Sequence, residues 1–406
     1  MNQSAVTEKS KWLSHSPKIS REKLFLVTTV FLLTGLALTF LVDEGDKQWE
    51  TELLQENVSE RFVQVTAPDD IEIFYLESRE GVVKSASKSQ GILENLLSIG
   101  WTTETIDEEE GSGSFLSAKE FGDQTVLAYQ DGNVGESAVY FTERGSEGEW
   151  STETVDSIQT NGPNVGLYTS LTFLNGNPLI FYHAAQGDRF LKAEKTNNEW
   201  SIEELEQDIG WFADTATCGE EAFVVVREKG DDNVYLGRYD GEWSIEDLDV
   251  ETDTDVAVAA DGCNPAIAYM DTESWEVTFK QDGETESFSE SRFSRISLEI
   301  EDNYHLLYNV RNEGLFYAES EDGGEWRKKA ISEDPEAGSY NDLAIDKNGD
   351  VHIAYLKEND LFYATEVPEN RETLIYTQLM IVALLLLSFV IFYKDKLGEI
   401  FRKLSD

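Results

Sequence analysis

The chain has 406 residues, 40% hydrophobic and 11% aromatic, and sets 80 Asp and Glu against 32 Lys and Arg for a formal net charge of −48. Such a surface repels nucleic acid and anionic lipid headgroups, which drop out as partners. It suits solubility in salt, where a Debye length of about 8 Å or less screens the self-repulsion.

In chain order, the first feature is an uncharged apolar run over 24–42, and a second covers 374–393. At about 1.5 Å rise per residue, each has the length to cross a hydrocarbon core roughly 30 Å thick, which predicts two transmembrane helices. Lys9, Lys11, Lys18, Arg21 and Lys23 precede the first run, Lys394, Lys396, Arg402 and Lys403 follow the second, and Asp43, Glu44 and Asp46 lie between them. Cations near a span resist translocation, so segments 1–23 and 394–406 are expected in the cytoplasm and 43–373 outside, in a two-pass cell-membrane protein. A cleaved signal peptide is the other reading of the first run. Its long basic lead-in, and an apolar stretch beyond the usual 7–15 or so residues, argue against that.

Between the runs a short strand ending near an aromatic recurs: Ile73-Phe74-Tyr75, Leu127-Ala128-Tyr129, Ile180-Phe181-Tyr182, Val224-Val225-Val226, Ile267-Ala268-Tyr269, Leu306-Leu307-Tyr308 and Ile353-Ala354-Tyr355. Its spacing is close to the roughly 40–50 residues of a propeller blade. A further strand opens on tryptophan at Trp101, Trp150, Trp200, Trp243 and Trp326, with acidic residues after the first four, and Phe288 marks a weaker version in the fifth repeat. The seventh repeat lacks this strand, and Trp49-ETELLQ after the first apolar run supplies a match. The expected fold is all-β: a seven-bladed β-propeller of four-stranded blades, 43–373, with an N-terminal strand closing the last blade so that no long sheet edge is left open. The closure also brings the two ends of the propeller together.

The pattern I-A-Y, then L-x-Y-A, then G-x-W resembles the extracellular propeller repeats of the BNR, or sialidase-like, superfamily. Ser320-Glu321-Asp322-Gly323-Gly324-Glu325-Trp326 resembles its Asp-box turn, shortened by a residue. With its charge and apolar runs, the chain is similar to acidic, membrane-anchored surface proteins of archaeal type. The resemblance covers 49–366 and implies the fold, while propellers as a class carry many activities.

Several residues are candidates for a site. Cys218 and Cys263 fall near equivalent turns of the fourth and fifth blades, where neighbouring blades can bring them within disulfide reach, against the reading of two free thiols. Asp346, Asn348 and Asp350 have the D-x-N-x-D alternation that can present oxygen ligands to calcium, or form an ordinary Asn-Gly hairpin turn with solvated aspartates. Asn57-Val58-Ser59 is an N-glycosylation sequon. His305 and His352 open equivalent strands and His183 follows an anchor tyrosine, which suits a structural role. The tryptophans could form a sugar-binding surface, although one per blade on the same strand suits packing between blades. A sialidase would need clustered arginines, a tyrosine nucleophile and an acid, and the sequence singles out no such set. The leading expectation is a membrane-anchored binding or scaffold module for an envelope protein or glycan on the propeller face. The alternative is a sialidase-like glycan-cleaving enzyme anchored at the surface; calcium is the one cofactor considered.

Overall fold

The computed structural model describes residues 21–392 apart from 40–46, 68–69, 78–81, 90–99, 109–111, 123, 132–136, 146–147, 159–164, 231, 291–294, 311, 369–375, 379 and 391. The segments expected in the cytoplasm lie mostly outside this range. The chain divides into two compact units, Trp49–Glu366 and the remaining terminal segments.

The first unit is a seven-bladed all-β propeller. Seven four-stranded sheets follow one another, each a meander of neighbouring strands. Their inner strands, from blade one to blade seven, are Val58–Thr66, Ser112–Phe121, Val165–Leu174, Ile209–Cys218, Val256–Asp261, Ile296–Ile300 and Ala337–Ile345. Turn chemistry sets the register. In blade three Leu174 pairs with Asn177 across Asn175 and Gly176, both at positive φ, the two-residue turn whose twist matches the strands it joins.

The second strand of each blade reads as a continuous apolar run because a neighbouring blade covers each of its faces. Ile73, Phe74 and Tyr75 are all buried, as are Ile180, Phe181 and Tyr182. The core is therefore a series of clusters shared between blades; one joins Val126, Ala128 and Phe141 of blade two to Leu171, Ile180 and Tyr182 of blade three.

Toward the rim, polar contacts repeat the same linkage at three of the tryptophans and give the acidic residues Glu52, Glu104 and Glu206 a partner. The indole N–H of Trp101 donates to Glu52 at 3.0 Å, that of Trp150 to Glu104 at 3.0 Å and that of Trp243 to Glu206 at 3.3 Å, each on the preceding blade. Three residues after Glu104, Asp107 accepts the hydroxyl of Tyr129 at 2.6 Å, and Asp156 accepts that of Tyr182 at 2.8 Å. Burial and these carboxylates push both phenols well above their ordinary range. The tryptophans thus join blade to blade.

Blade seven has the order Lys47–Gln55, Asp360–Pro368, Val351–Lys357, Ala337–Ile345, so the segment before blade one supplies its outer strand. Trp49 packs edge-on against Tyr317 of blade six at 5.2 Å. The junction is fastened where Val58 N–H donates to Asn359 O at 2.7 Å and Asn57 N–H to Asp360 Oδ1 at 3.0 Å.

In the second unit a helix runs from Arg21 to Thr39. Its first turn holds Arg21, Glu22 and Lys23, leaving an uncharged stretch over 24–39, about 24 Å at helical rise. Residues 40–42, 374–375, 379, 391 and 393 of the expected spans lie outside the described residues, and the longest continuous helical piece of the second is 380–390. Among the described residues no helix is long and apolar enough to cross a membrane, so the two transmembrane helices expected over 24–42 and 374–393 are not supported as complete spans. The helical pieces touch where Phe25 stacks on Phe392 at 4.2 Å.

Candidate functional site on the propeller axis

The inner strands converge on the propeller axis, and their side chains form layers there. The uppermost layer arises from a local motif, glycine, any residue, then an aromatic: Gly113-Ser114-Phe115, Gly166-Leu167-Tyr168, Gly210-Trp211-Phe212 and Gly338-Ser339-Tyr340. The glycine leads the strand past the preceding blade at a separation no side chain allows. A Cβ on Gly113 would stand 2.7 Å from Val83 Cγ2, and one on Gly210 2.5 Å from Phe190 Cδ2. A register shift follows, and Phe62, Phe115, Tyr168 and Phe212 adopt positive φ of 61°, 51°, 54° and 52°. Bulky residues rarely hold this conformation unless their surroundings fix it.

The result is a collar. Phe62, Phe115, Tyr168 and Phe212 touch in sequence with centroids 4.8 Å apart at each step, and Tyr340 meets Phe62 at 5.8 Å. The two remaining blades place Asp255 and Arg295 at the matching positions. Arg295 Nε lies 2.9 Å from Asp255 Oδ2, an ion-pair distance although the N–H is not aligned for a hydrogen bond. Its guanidinium sits over Tyr340 at 5.1 Å and Phe62 at 5.5 Å. A cavity of about 420 Å³ runs from the collar toward the far ends of the inner strands, where Thr217, Ala260 and Glu301 line it.

The next layer joins the blades. Gln64 Oε1 accepts Ala118 N–H at 3.3 Å, Ser117 Oγ accepts Leu171 N–H at 3.0 Å, Asp214 Oδ2 accepts Val258 N–H at 2.9 Å, and Asp342 Oδ2 accepts Val65 N–H at 2.8 Å. In each pair the polar side chain of one blade takes a backbone N–H of the next. Ser170 and Thr215 share a hydroxyl bond at 2.9 Å, while blade five has Ala257 at this position.

Below lies the charge. Burial lowers the Lys119 ammonium, but Glu299, Asp214 and Asp342 around it hold its pKa above the ordinary value. Burial pushes Asp342 up to about 7, with Val65 N–H and Lys119 opposing and the neighbouring carboxylates adding to the rise. Asp214 and Glu299 are raised by burial against the pull of Lys119, and Asp255 by burial against the pull of Arg295. The cavity is thus a polar chamber under an aromatic ceiling, and among the described lining residues Glu120, Asp214, Asp255, Glu299, Glu301 and Asp342 are set against Lys119 and Arg295.

The residues singled out from sequence lie elsewhere. Cys218 and Cys263 form a disulfide, Cα atoms 5.0 Å apart, that ties blade four to blade five. In the Asp346 turn, Asp346 Oδ1 accepts the N–H groups of Asn348 and Asp350, each at 2.9 Å, and Oδ2 accepts Asn348 Nδ2 at 3.1 Å. Asp346 is buried, and burial raises its pKa, yet His352 and these N–H groups hold it well below the usual carboxylate range. These bonds are those of a hairpin turn closed on its own backbone, and among the described residues no group of three or more acidic, His or Cys side chains is arranged to hold a metal ion. Asn57 is exposed at the blade-seven closure. His305 and His352 each pair through Nδ1 with a tyrosine hydroxyl, Tyr317 at 2.6 Å and Tyr363 at 2.7 Å, an arrangement repeated in two blades. His183 is buried, and desolvation lowers its pKa to about 4. In the Asp-box-like turn, Asp322 Oδ1 accepts Gly324 N–H at 3.0 Å and the indole of Trp326 donates to Gly323 O at 2.9 Å. Among the described cavity-lining residues Arg295 is the one arginine, so the clustered arginines that a sialidase would need do not converge there.

Sequence reading missed the collar and Lys119. The available signal was the glycine-x-aromatic motif, repeated about fourteen residues ahead of the anchor strand's last position.

No protein-family model matches the chain, and no curated protein matches it. Solved structures share the fold. The polysaccharide lyase Uly1 is similar at a TM-score of 0.51 and 8% identity, over 78% of this chain and 91% of that one. A mutant Aleuria aurantia lectin in complex with Fucalpha1-6GlcNAc gives 0.46 and 12%, over 70% and 98%. A Trypanosoma rangeli sialidase in complex with 2,3-difluorosialic acid gives 0.43 and 10%, over 79% of this chain and 55% of that one. At such identities the likeness shows the β-propeller fold alone.

Proposed function

We propose that the chain is a membrane-anchored glycan-binding propeller whose ligand site is the axial chamber beneath the aromatic collar. The observation that carries the reading is the collar itself: strained aromatic residues at equivalent positions of several blades, placed over a polar chamber of about 420 Å³. Sugars present apolar C–H faces and rings of hydroxyls. An aromatic ceiling complements the first, and serine, threonine, amide and carboxylate groups complement the second. A chamber of this size takes one or two sugar units, with the rest of a chain outside.

Anchoring is the second part of the proposal. Leu26, Phe31, Tyr376 and Leu386 are 63%, 79%, 69% and 62% exposed on the terminal helical pieces, too much apolar surface for water, and the uncharged runs 24–42 and 374–393 have the length of lipid-spanning segments. The basic flanks support an orientation with both termini in the cytoplasm and the propeller outside the cell.

The test uses the full chain in mild detergent on an array of immobilised glycans, beside Phe115→Ala and Tyr168→Ala variants. The expected result is retention on a defined set of glycans, lost in both variants. Absence of any glycan binding, or equal binding by the collar variants, refutes the reading. Alkaline extraction of native membranes tests the anchor: the chain is expected in the pellet, and release into the supernatant contradicts anchoring.

A further inference from the structure

If the axial chamber binds glycans, as proposed, its charges bear on which glycans it accepts. A site built for acidic sugars needs a cation free to grip the ligand carboxylate. One of the two cations is held in an ion pair, and the other is outnumbered by the carboxylates that line the same cavity. Arg295 is paired with Asp255 at 2.9 Å and lies over the faces of Tyr340 and Phe62. Lys119 lines the cavity beside Glu299, Asp214 and Asp342, one cation among three carboxylates. A ligand carboxylate entering the chamber would meet an excess of acidic over basic residues in a confined space, whereas neutral hydroxyls would find acceptors on every side.

We infer that the chamber selects glycans without acid groups and rejects carboxylated ones, with Asp214, Glu299 and Asp342 as the residues that enforce the rejection. The rejection is local to the chamber, beyond the general repulsion from the acidic surface. Asp214 and Asp342 use Oδ2 to bind the next blade's backbone. Asparagine at either position keeps an oxygen there for that bond while removing the charge, so specificity can be separated from folding.

The experiment measures competition for the full chain by matched pairs of soluble probes: oligomers of galactose and of galacturonic acid, oligomers of glucose and of glucuronic acid, and lactose with and without a terminal sialic acid. In each pair that binds, the neutral member is expected to win by about tenfold or more. The triple variant Asp214→Asn, Glu299→Gln, Asp342→Asn is expected to accept both members within a few-fold. As a second measurement that needs no variant, added salt is expected to narrow the gap on the unmodified protein, since screening weakens the repulsion. Equal or tighter binding of a carboxylated member overturns the inference, as does a preference that survives both the triple substitution and high salt. If no member of any pair binds, the glycan reading itself fails and the inference falls with it.

Discussion

The rim and the axis of the propeller are made from the same repeat, yet they use their aromatic residues in opposite ways. At the rim each tryptophan is spent on its neighbour: Trp150 donates to Glu104, packs against Phe74 at 6.3 Å and lies under the Arg144 guanidinium at 4.6 Å. At the axis the aromatics touch one another but keep a face toward a chamber, and they hold strained backbone to do so. The rim pattern recurs with similar partners around the ring. The axial pattern is broken at two blades by Asp255 and Arg295, and a layer below by Lys119. In a repeat protein, positions that serve stability can be alike in every blade, whereas a ligand site needs the blades to differ.

That contrast can be broken by substitution. The largest effect is expected for Lys119→Met, which removes the cation from among three carboxylates of the chamber and should lower the urea midpoint of the full chain more than any substitution below. Removing the disulfide with Cys218→Ser and Cys263→Ser should cost about 2–4 kcal/mol, with glycan binding retained below the shifted transition. Trp150→Ala should cost about 2–3 kcal/mol through lost packing and leave affinity unchanged. Phe115→Ala, at a half-exposed position, should cost about 1 kcal/mol while lowering affinity by about tenfold or more.

The last effect concerns pH. The Asp342 carboxyl is raised to about 7 in the folded protein, above its unfolded value. The folded state therefore holds this proton more tightly, and the resulting stability is fully present below the unfolded pKa and lost as pH rises through about 7. Asp342→Asn should flatten the stability profile between about pH 4 and 7, as followed by thermal melts across that window. An unchanged slope would show that Asp342 faces a more watery chamber than the structure describes.

The same contrast separates what was legible in the sequence from what was not. The anchor strands, the tryptophan strands and the return of Trp49 to close blade seven could be read because each is a local pattern repeated at blade spacing. The acidic residues after the tryptophans were visible as a pattern, but their partners, such as Tyr129 for Asp107, lie on another blade. The collar was harder to read. Phe62, Phe115, Tyr168 and Phe212 each look like an ordinary strand aromatic, and only the convergence of seven inner strands brings them together. Asp255, Arg295 and Lys119 carry no repeat signal because they depart from the repeat. The Asp346 turn, which did carry a ligand-like spacing, spends that spacing on its own backbone N–H groups.

The most direct test of the account compares rim with axis in one titration: a neutral glycan selected from the array, added to the unmodified chain, to Phe115→Ala with Tyr168→Ala, and to Trp150→Ala with Trp200→Ala. The account predicts that binding disappears in the axial pair and survives in the rim pair despite its lower stability. Loss of binding in the rim pair with retention in the axial pair would contradict it.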